Sequence, residues 1–178
     1  PFHRVCGEYL ALESWPLLQE LGMEPRQLRL PRIQRLLVTA PRGPGLSSPL
    51  LPGGWGISRY RLDHELSQLA HQAGVELHEQ TRIRQISFSK DGFELSDGQQ
   101  FWRSRMACGA FGKFSNLDTQ LRPQDLPHQR GYPSFVGVKY HLRTRFPEDL
   151  IALHNFPGGY CGISAIEADA AGPRYNLC

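Results

Sequence analysis

No stretch of this sequence approaches the roughly 18 consecutive apolar residues that a membrane-spanning helix requires. The opening residues, PFHRVCGEYL, have neither the basic lead nor the apolar centre of a secretion signal. Cysteine is scarce, 4 in 178 residues, and no two of Cys6, Cys108, Cys161 and Cys178 stand in CxxC spacing. That spacing argues against a zinc ribbon, and a chain of this length needs no disulfide framework, so a reducing, cytoplasmic setting is expected. Like charges never run to five, and the net charge of +3 comes from scattered arginines without interleaved aromatics. Nucleic acid is therefore not expected as a partner. His64 and His71 stand seven apart on one predicted helix without a carboxylate or thiolate at ligand spacing, so they read as a solvated face and no metal is assigned. Internal repeats and low-complexity segments are absent as well.

What remains is ordinary globular material, 40% apolar and 21% charged. Ser14 as cap, Pro16 in the first turn, Leu17, Leu18 and Leu21 on one face and Gly22 as the stop predict a short helix. Ile33–Thr39 is a β-branched, leucine-rich strand, followed by a long loop through PRGPGLSSPLLPGG and a second strand at 55–58. Leu62, Leu66, Leu69, Ala70 and Ala73 form one apolar stripe on a helix that Gly74 terminates. Residues 75–78 then read as a strand, and residues 82–102 as a three-stranded meander turned at Asp91-Gly92 and Asp97-Gly98. Met106–Gly112 reads as a buried strand ending in glycines, and 113–130 as a connection. From Val136 alternation begins anew, with strands at 136–142, 150–155 and 160–167. The first residue is proline and the last six, PRYNLC, read as a strand begun, so both ends are taken as truncations.

Four segments in this order, HRVCGEYL at 3–10, ISRYRLDHELSQLAHQAGVEL at 57–77, MACGAFGKFSNLD at 106–118 and FPGGYCGIS at 156–164, resemble the middle of an FAD-dependent oxidoreductase of the aromatic-hydroxylase and geranylgeranyl-reductase superfamily. The resemblance spans nearly the whole chain and implies a GxGxxG unit before Arg4 and a second flavin motif beyond Cys178, neither of which is in this sequence. It implies that Arg4 holds the FAD pyrophosphate, as a guanidinium is suited to do, and that Cys6, Gly7 and Glu8 line the flavin pocket. Taken alone, Cys6 is a small buried side chain and Glu8 a helix-start carboxylate. By the same resemblance Arg59, in an RxxxDxxL pattern with Asp63, contacts the flavin, and Ile83 lies where the backbone faces the adenine. Gly109, Ala110 and Gly112 belong to a strand end that usually reads G-A-D-G-x-x-S. Phe111 stands in place of that aspartate, which removes the acidic role and weakens the hydroxylase reading. Trp55, Tyr160 and Gly162 are the substrate-side residues. Tyr160 matches a substrate-domain motif whose other aromatic and proline positions are not met, and its hydroxyl is suited to donate a hydrogen bond to a substrate.

The expected fold is therefore α/β, a partial FAD/NAD(P)-binding Rossmann-like domain lacking its first βαβ unit, joined to part of an antiparallel substrate-domain sheet. Residues 1–135 would be the flavin-domain remainder, with 30–58 crossing to the second sheet, and 136–178 would begin the substrate domain. The expected function is flavin-mediated reduction of an apolar, prenyl-like small molecule. The alternatives are a monooxygenase using NAD(P)H and oxygen, and a non-catalytic half-Rossmann binding module. No acid, base or nucleophile has diagnostic spacing, so the catalytic residues stay unassigned, and so do the substrate and the oligomeric state.

Overall fold

A computed structural model describes residues 3–112, 115–121 and 135–178, the side chains of residues 25 and 26 excepted. In chain order the elements are β1 (Tyr9–Ala11), a 3-10 turn (Leu12–Ser14), α1 (Trp15–Glu20), α2 (Pro25–Leu28), β2 (Arg32–Thr39), β3 (Leu46–Gly56), α3 (Arg59–Gln72), β4 (Gln85–Ser89), β5 (Gly92–Ser96), β6 (Phe101–Ser104), α4 (Leu117–Leu121), β7 (Tyr140–Leu142), β8 (Leu150–Phe156), β9 (Gly159–Asp169) and β10 (Gly172–Leu177). They fall into two compact units, one of Pro1–Glu76 with Phe135–Cys178, the other of Leu77–Ser134. The chain passes between the units at Glu76/Leu77 and at Ser134/Phe135. The first of these crossings carries no composition shift.

The larger unit is built on a seven-stranded sheet ordered β1-β3-β2-β8-β9-β10-β7. It is mixed rather than antiparallel throughout, because β2 lies parallel to β8, with Arg35 opposite Leu150 and Thr39 opposite His154. Residues 32–56 thus share a sheet with 140–177. Of the segment read as a long loop, residues 46–54 belong to β3, antiparallel to β2, with an irregularity between Ile33 and Arg35. Pro and Gly punctuation predicts a loop there, and the pairing of both flanks of the 46–56 run with β1 and β2 overrides it.

This sheet curls strongly. Two strands separate β3 from β9 in the order, which on a flat sheet would put them about 14 Å apart at about 4.8 Å per strand. Yet a Cβ placed on Gly56 would lie 1.9 Å from the Ala165 carbonyl oxygen, so only glycine is tolerated at this approach. Against one end pack α1 and α3. Their core is Trp15, Leu18, Met23, Leu30, Ile57 and Leu62, with Leu66 and Leu69 from the predicted stripe beside it. Ser58, in extended conformation, caps α3 by accepting from Arg61 N at 3.1 Å, and Gly74 ends it at φ 84°. Ser14, by contrast, is itself helical and makes no side-chain cap.

The smaller unit holds the antiparallel meander β4-β5-β6, with the register the two Asp-Gly turns imply. Asp97 accepts from Gln100 N and Gln99 N, both at 2.8 Å, and these bonds hold its carboxyl below the ordinary aspartate value. The two runs read as strands at 75–78 and 106–112 are not strands, and Met106 is exposed. The first alternates as a half-buried strand does and the second has the apolar run of a strand covered on two faces. Among the described residues no strand pairs with either, so the pattern is present without the partners that would satisfy it. Among the described residues the sheets are thus the mixed seven-stranded one and this antiparallel three-stranded one, with few helices. Of the connection read at 113–130, residues 113, 114 and 122–130 lie outside the described residues, and the remainder contains the short helix α4. Among the described residues no helix is long and apolar enough to cross a membrane.

Candidate functional site

The N-terminus of α3 gathers most of the charge chemistry of the larger unit. The first amides of a helix lack intrahelical partners and favour negative charge, and two buried carboxylates meet them here. Glu167, on β9, accepts from Ser58 N at 2.7 Å and from Ser58 Oγ at 2.5 Å, and Arg174 on β10 donates to the same carboxylate at 2.8 Å. Glu8, just ahead of β1, accepts from Arg59 N at 2.8 Å.

Glu8 also closes the sheet. Its Oε1 accepts from Lys139 Nζ at 2.5 Å, and its Oε2 lies 2.6 Å from His141 Nε2, which carries the hydrogen when the carboxylate is ionised. Lys139 and His141 belong to the β7 end of the strand order and Glu8 to the β1 end, so one side chain bridges the two edges of the curled sheet. The side chains of Glu8, Lys139 and His141 are 0%, 6% and 17% exposed. Glu8 holds a left-handed backbone at φ 54°, an uncommon conformation for a residue with a side chain, kept by contacts on every side. Its carbonyl accepts from Ile57 N at 3.1 Å. His3 lies edge-on to His141, with ring centres 4.8 Å apart, and stacks on Tyr60 at 5.1 Å.

The site residues named from the sequence distribute as follows. Arg4 is half-exposed, its Nε 3.8 Å from Asp63 Oδ2. Arg59 bonds the other oxygen of Asp63 at 2.6 Å, and its buried Nε has no partner among the described residues. Cys6 is tied inward, its Sγ accepting from Glu8 N at 3.5 Å and its carbonyl from Asn176 Nδ2 at 3.1 Å. Gly7 is exposed, and a Cβ on it would meet nothing within 4 Å. Arg4, Cys6, Gly7 and Arg59 thus share one neighbourhood. Trp55 packs against the helical core, its ring 6.1 Å from that of Trp15 and 5.7 Å from the Arg32 guanidinium. Tyr160 is exposed at the start of β9, while Gly162 sits mid-sheet, exchanging backbone hydrogen bonds of 2.7 and 2.9 Å with Cys178.

In the smaller unit, Ile83, Gly109 and Ala110 line one groove of about 920 Å³ with Phe93, Leu95 and Phe111. Asp118 is the sole acid among its described lining residues. Gly112, at φ 73°, lies beside the groove in sequence without lining it. Sequence reasoning missed Lys139, His141, Ser58 and Glu167. Two basic residues at alternate positions read as the outward face of a strand, and only their pairing with Glu8, more than 130 positions away, turns them inward.

By fold, then, the larger unit is a curled mixed sheet closed edge to edge by a buried carboxylate and backed by helices at one end. Neither a protein-family model nor a curated protein sequence matches the chain. Among solved structures it is similar to a triple mutant of the flavin-dependent brominase Bmp2, with a TM-score of 0.62 and 15% identity over 99% of this chain. At that identity the likeness is one of fold. The chain spans 47% of the length of that protein.

Proposed function

We propose that this chain is part of an FAD-dependent oxidoreductase acting on an apolar small molecule, with NAD(P)H as the electron donor. The observation that carries the reading is the fold match to a flavin-dependent enzyme over 99% of the chain. The loop at 3–8 fits the cofactor: a half-exposed guanidinium at Arg4 stands three residues from an exposed glycine beside open space. When bound, FAD supplies the two-electron chemistry that protein side chains lack. Arg4 donates to its pyrophosphate, Gly7 lets a flat ring come close to the backbone, and Cys6 and Glu8, fastened inward, fix the loop. Arg59 braces that loop through Asp63 and the Glu8 carboxylate. Ile83, Gly109, Ala110 and Gly112 carry the remaining cofactor-binding roles in their own unit. Tyr160 donates a hydrogen bond to the substrate beside Gly162, and Trp55 shapes the wall from within the core.

The reaction we propose is reduction of a prenyl-like alkene. Phe111 in place of the family's aspartate supports it, its ring lying 2.7 Å from where a Cβ on Gly109 would be. Oxygen-dependent halogenation or hydroxylation is the second reading, favoured by the activity named for the fold neighbour. Full-length protein reduced anaerobically and mixed with an isoprenoid alkene should return a product with two more hydrogens. Bromination or hydroxylation of an aromatic acceptor in air, with no alkene reduction, overturns this in favour of the second reading.

Arg4→Ala in the full-length protein removes a charge-assisted bond worth roughly 1.5–3 kcal/mol. Flavin affinity should fall about tenfold to a hundredfold. Arg4→Lys keeps the charge without the planar fork and recovers part of the loss. Equal affinities across the three proteins, by flavin fluorescence titration at one salt concentration, would remove Arg4 from the site.

A further inference from the structure

We infer that the seam between the two sheet edges is a binding site for a divalent transition-metal cation, with His3, Glu8 and His141 as its protein ligands. One donor atom from each of the three lies within 4.8 Å of the others. Two imidazole nitrogens and a carboxylate oxygen are the donor set that suits zinc, iron, cobalt or nickel rather than calcium or magnesium.

The arrangement has the orientation of a built site. Oε1 of Glu8 is occupied by two donors, Lys139 Nζ at 2.5 Å and Arg59 N at 2.8 Å. Those bonds hold the carboxylate in place and leave Oε2 as a single ligating oxygen, in the way that partners behind a metal ligand ordinarily orient it. Among the described residues the partner of that oxygen is His141 Nε2, at 2.6 Å. Metal bonds of about 2.0–2.2 Å at angles of 90–110° require donor atoms about 3.0–3.5 Å apart. The metal therefore enters by widening the Nε2–Oε2 contact by less than about 1 Å and replacing the hydrogen between them. That hydrogen leaves Nε2 through solvent and Nδ1 carries one in its place, so that neutral His141 is the ligand and no electron transfer is involved. His3 approaches from the exposed side and completes three protein ligands, leaving a water or another small ligand to fill the coordination sphere.

The Lys139 ammonium is the opposing force. It touches Oε1 and not Oε2, and its charge lowers affinity for a cation, so the site is expected to be of moderate strength and to fill from added metal. A cation here would fasten the 3–8 loop to β7, the same two edges that Glu8 already joins. The inference stands independently of any flavin.

The test is cobalt(II) or zinc(II) titration of chelator-treated full-length protein, followed by the cobalt absorption band, calorimetry and thermal unfolding. One equivalent should bind, and the unfolding temperature should rise with metal concentration. His141→Ala and Glu8→Gln should each weaken binding more than tenfold. His3→Ala, which removes an exposed side chain outside the core, should do so in a fold that is unchanged by circular dichroism. A His64→Ala/His71→Ala variant should bind as wild type does. Absence of saturable binding, or affinity unchanged in folded His3→Ala, overturns the proposal.

Discussion

Cys108 and Cys178 are the same side chain in opposite surroundings. Cys108 is exposed, whereas Cys178 is half-buried, and burial first, then the neighbouring Cys6, push its thiol above the ordinary cysteine value. Since the thiolate is the reactive form, a disulfide reagent at about pH 8 should label Cys108 in a fast phase and Cys178 well behind it. Cys108→Ser should abolish the fast phase, and its survival in that variant would show that the exposure is misassigned. At this scale the sequence was informative where a residue acts through its own backbone, as at Gly74, Gly92 and Gly98, all of which take the positive φ that only glycine adopts at little cost. It singled out Glu8 but not the burial of that carboxylate, which depends on a lysine and a histidine that no local pattern connects to it. Breaking so buried an ion pair by removing one partner costs about 3–5 kcal/mol.

Among the elements, α3 was the most legible, because its apolar stripe and its glycine stop are written within one window of sequence. Its start was not: the carboxylate of Glu167 that receives Ser58 N and Ser58 Oγ comes from a strand 109 positions later. Ser58→Ala removes both the cap to Arg61 N and the bond to Glu167. It should destabilise the protein by about 1–2 kcal/mol, the upper part of the range for such caps, read as a lower urea midpoint with an unchanged slope. A change below about 0.3 kcal/mol would mean that the cap contributes nothing beyond what water replaces. Strand β7 shows the opposite balance. Alternation predicts a strand from 136 to 142, but only Tyr140–Leu142 pairs, with β10, while Val136 and Val138 are exposed.

Across the whole molecule, acid sensitivity should follow two ion pairs between distant segments of the sheet. Arg35 donates twice to Asp149, at 2.6 and 2.7 Å, and Arg143 donates to both oxygens of Asp169 at 2.6 Å. These bonds, with Ala171 N also donating to Asp169, hold both carboxyls below the ordinary aspartate value. With the folded value depressed, the contribution to stability is present above the unfolded value of about 3.9 and is lost as pH falls through the folded one. Urea midpoints should therefore fall between about pH 5 and pH 2, and less steeply in Asp149→Asn/Asp169→Asn. An identical slope in the double variant would assign the sensitivity to other groups. Local periodicity and turn chemistry determined by themselves where α1, α3, the meander and β8–β10 lie, since each is specified by residues a few positions apart. Tertiary structure alone decided the parallel pairing of β2 with β8, the curl that admits only glycine at 56, and the meeting of Glu8 with Lys139 and His141. Those depend on contacts between segments more than 100 positions apart, whose energy resides in burial and pairing that no window of sequence contains.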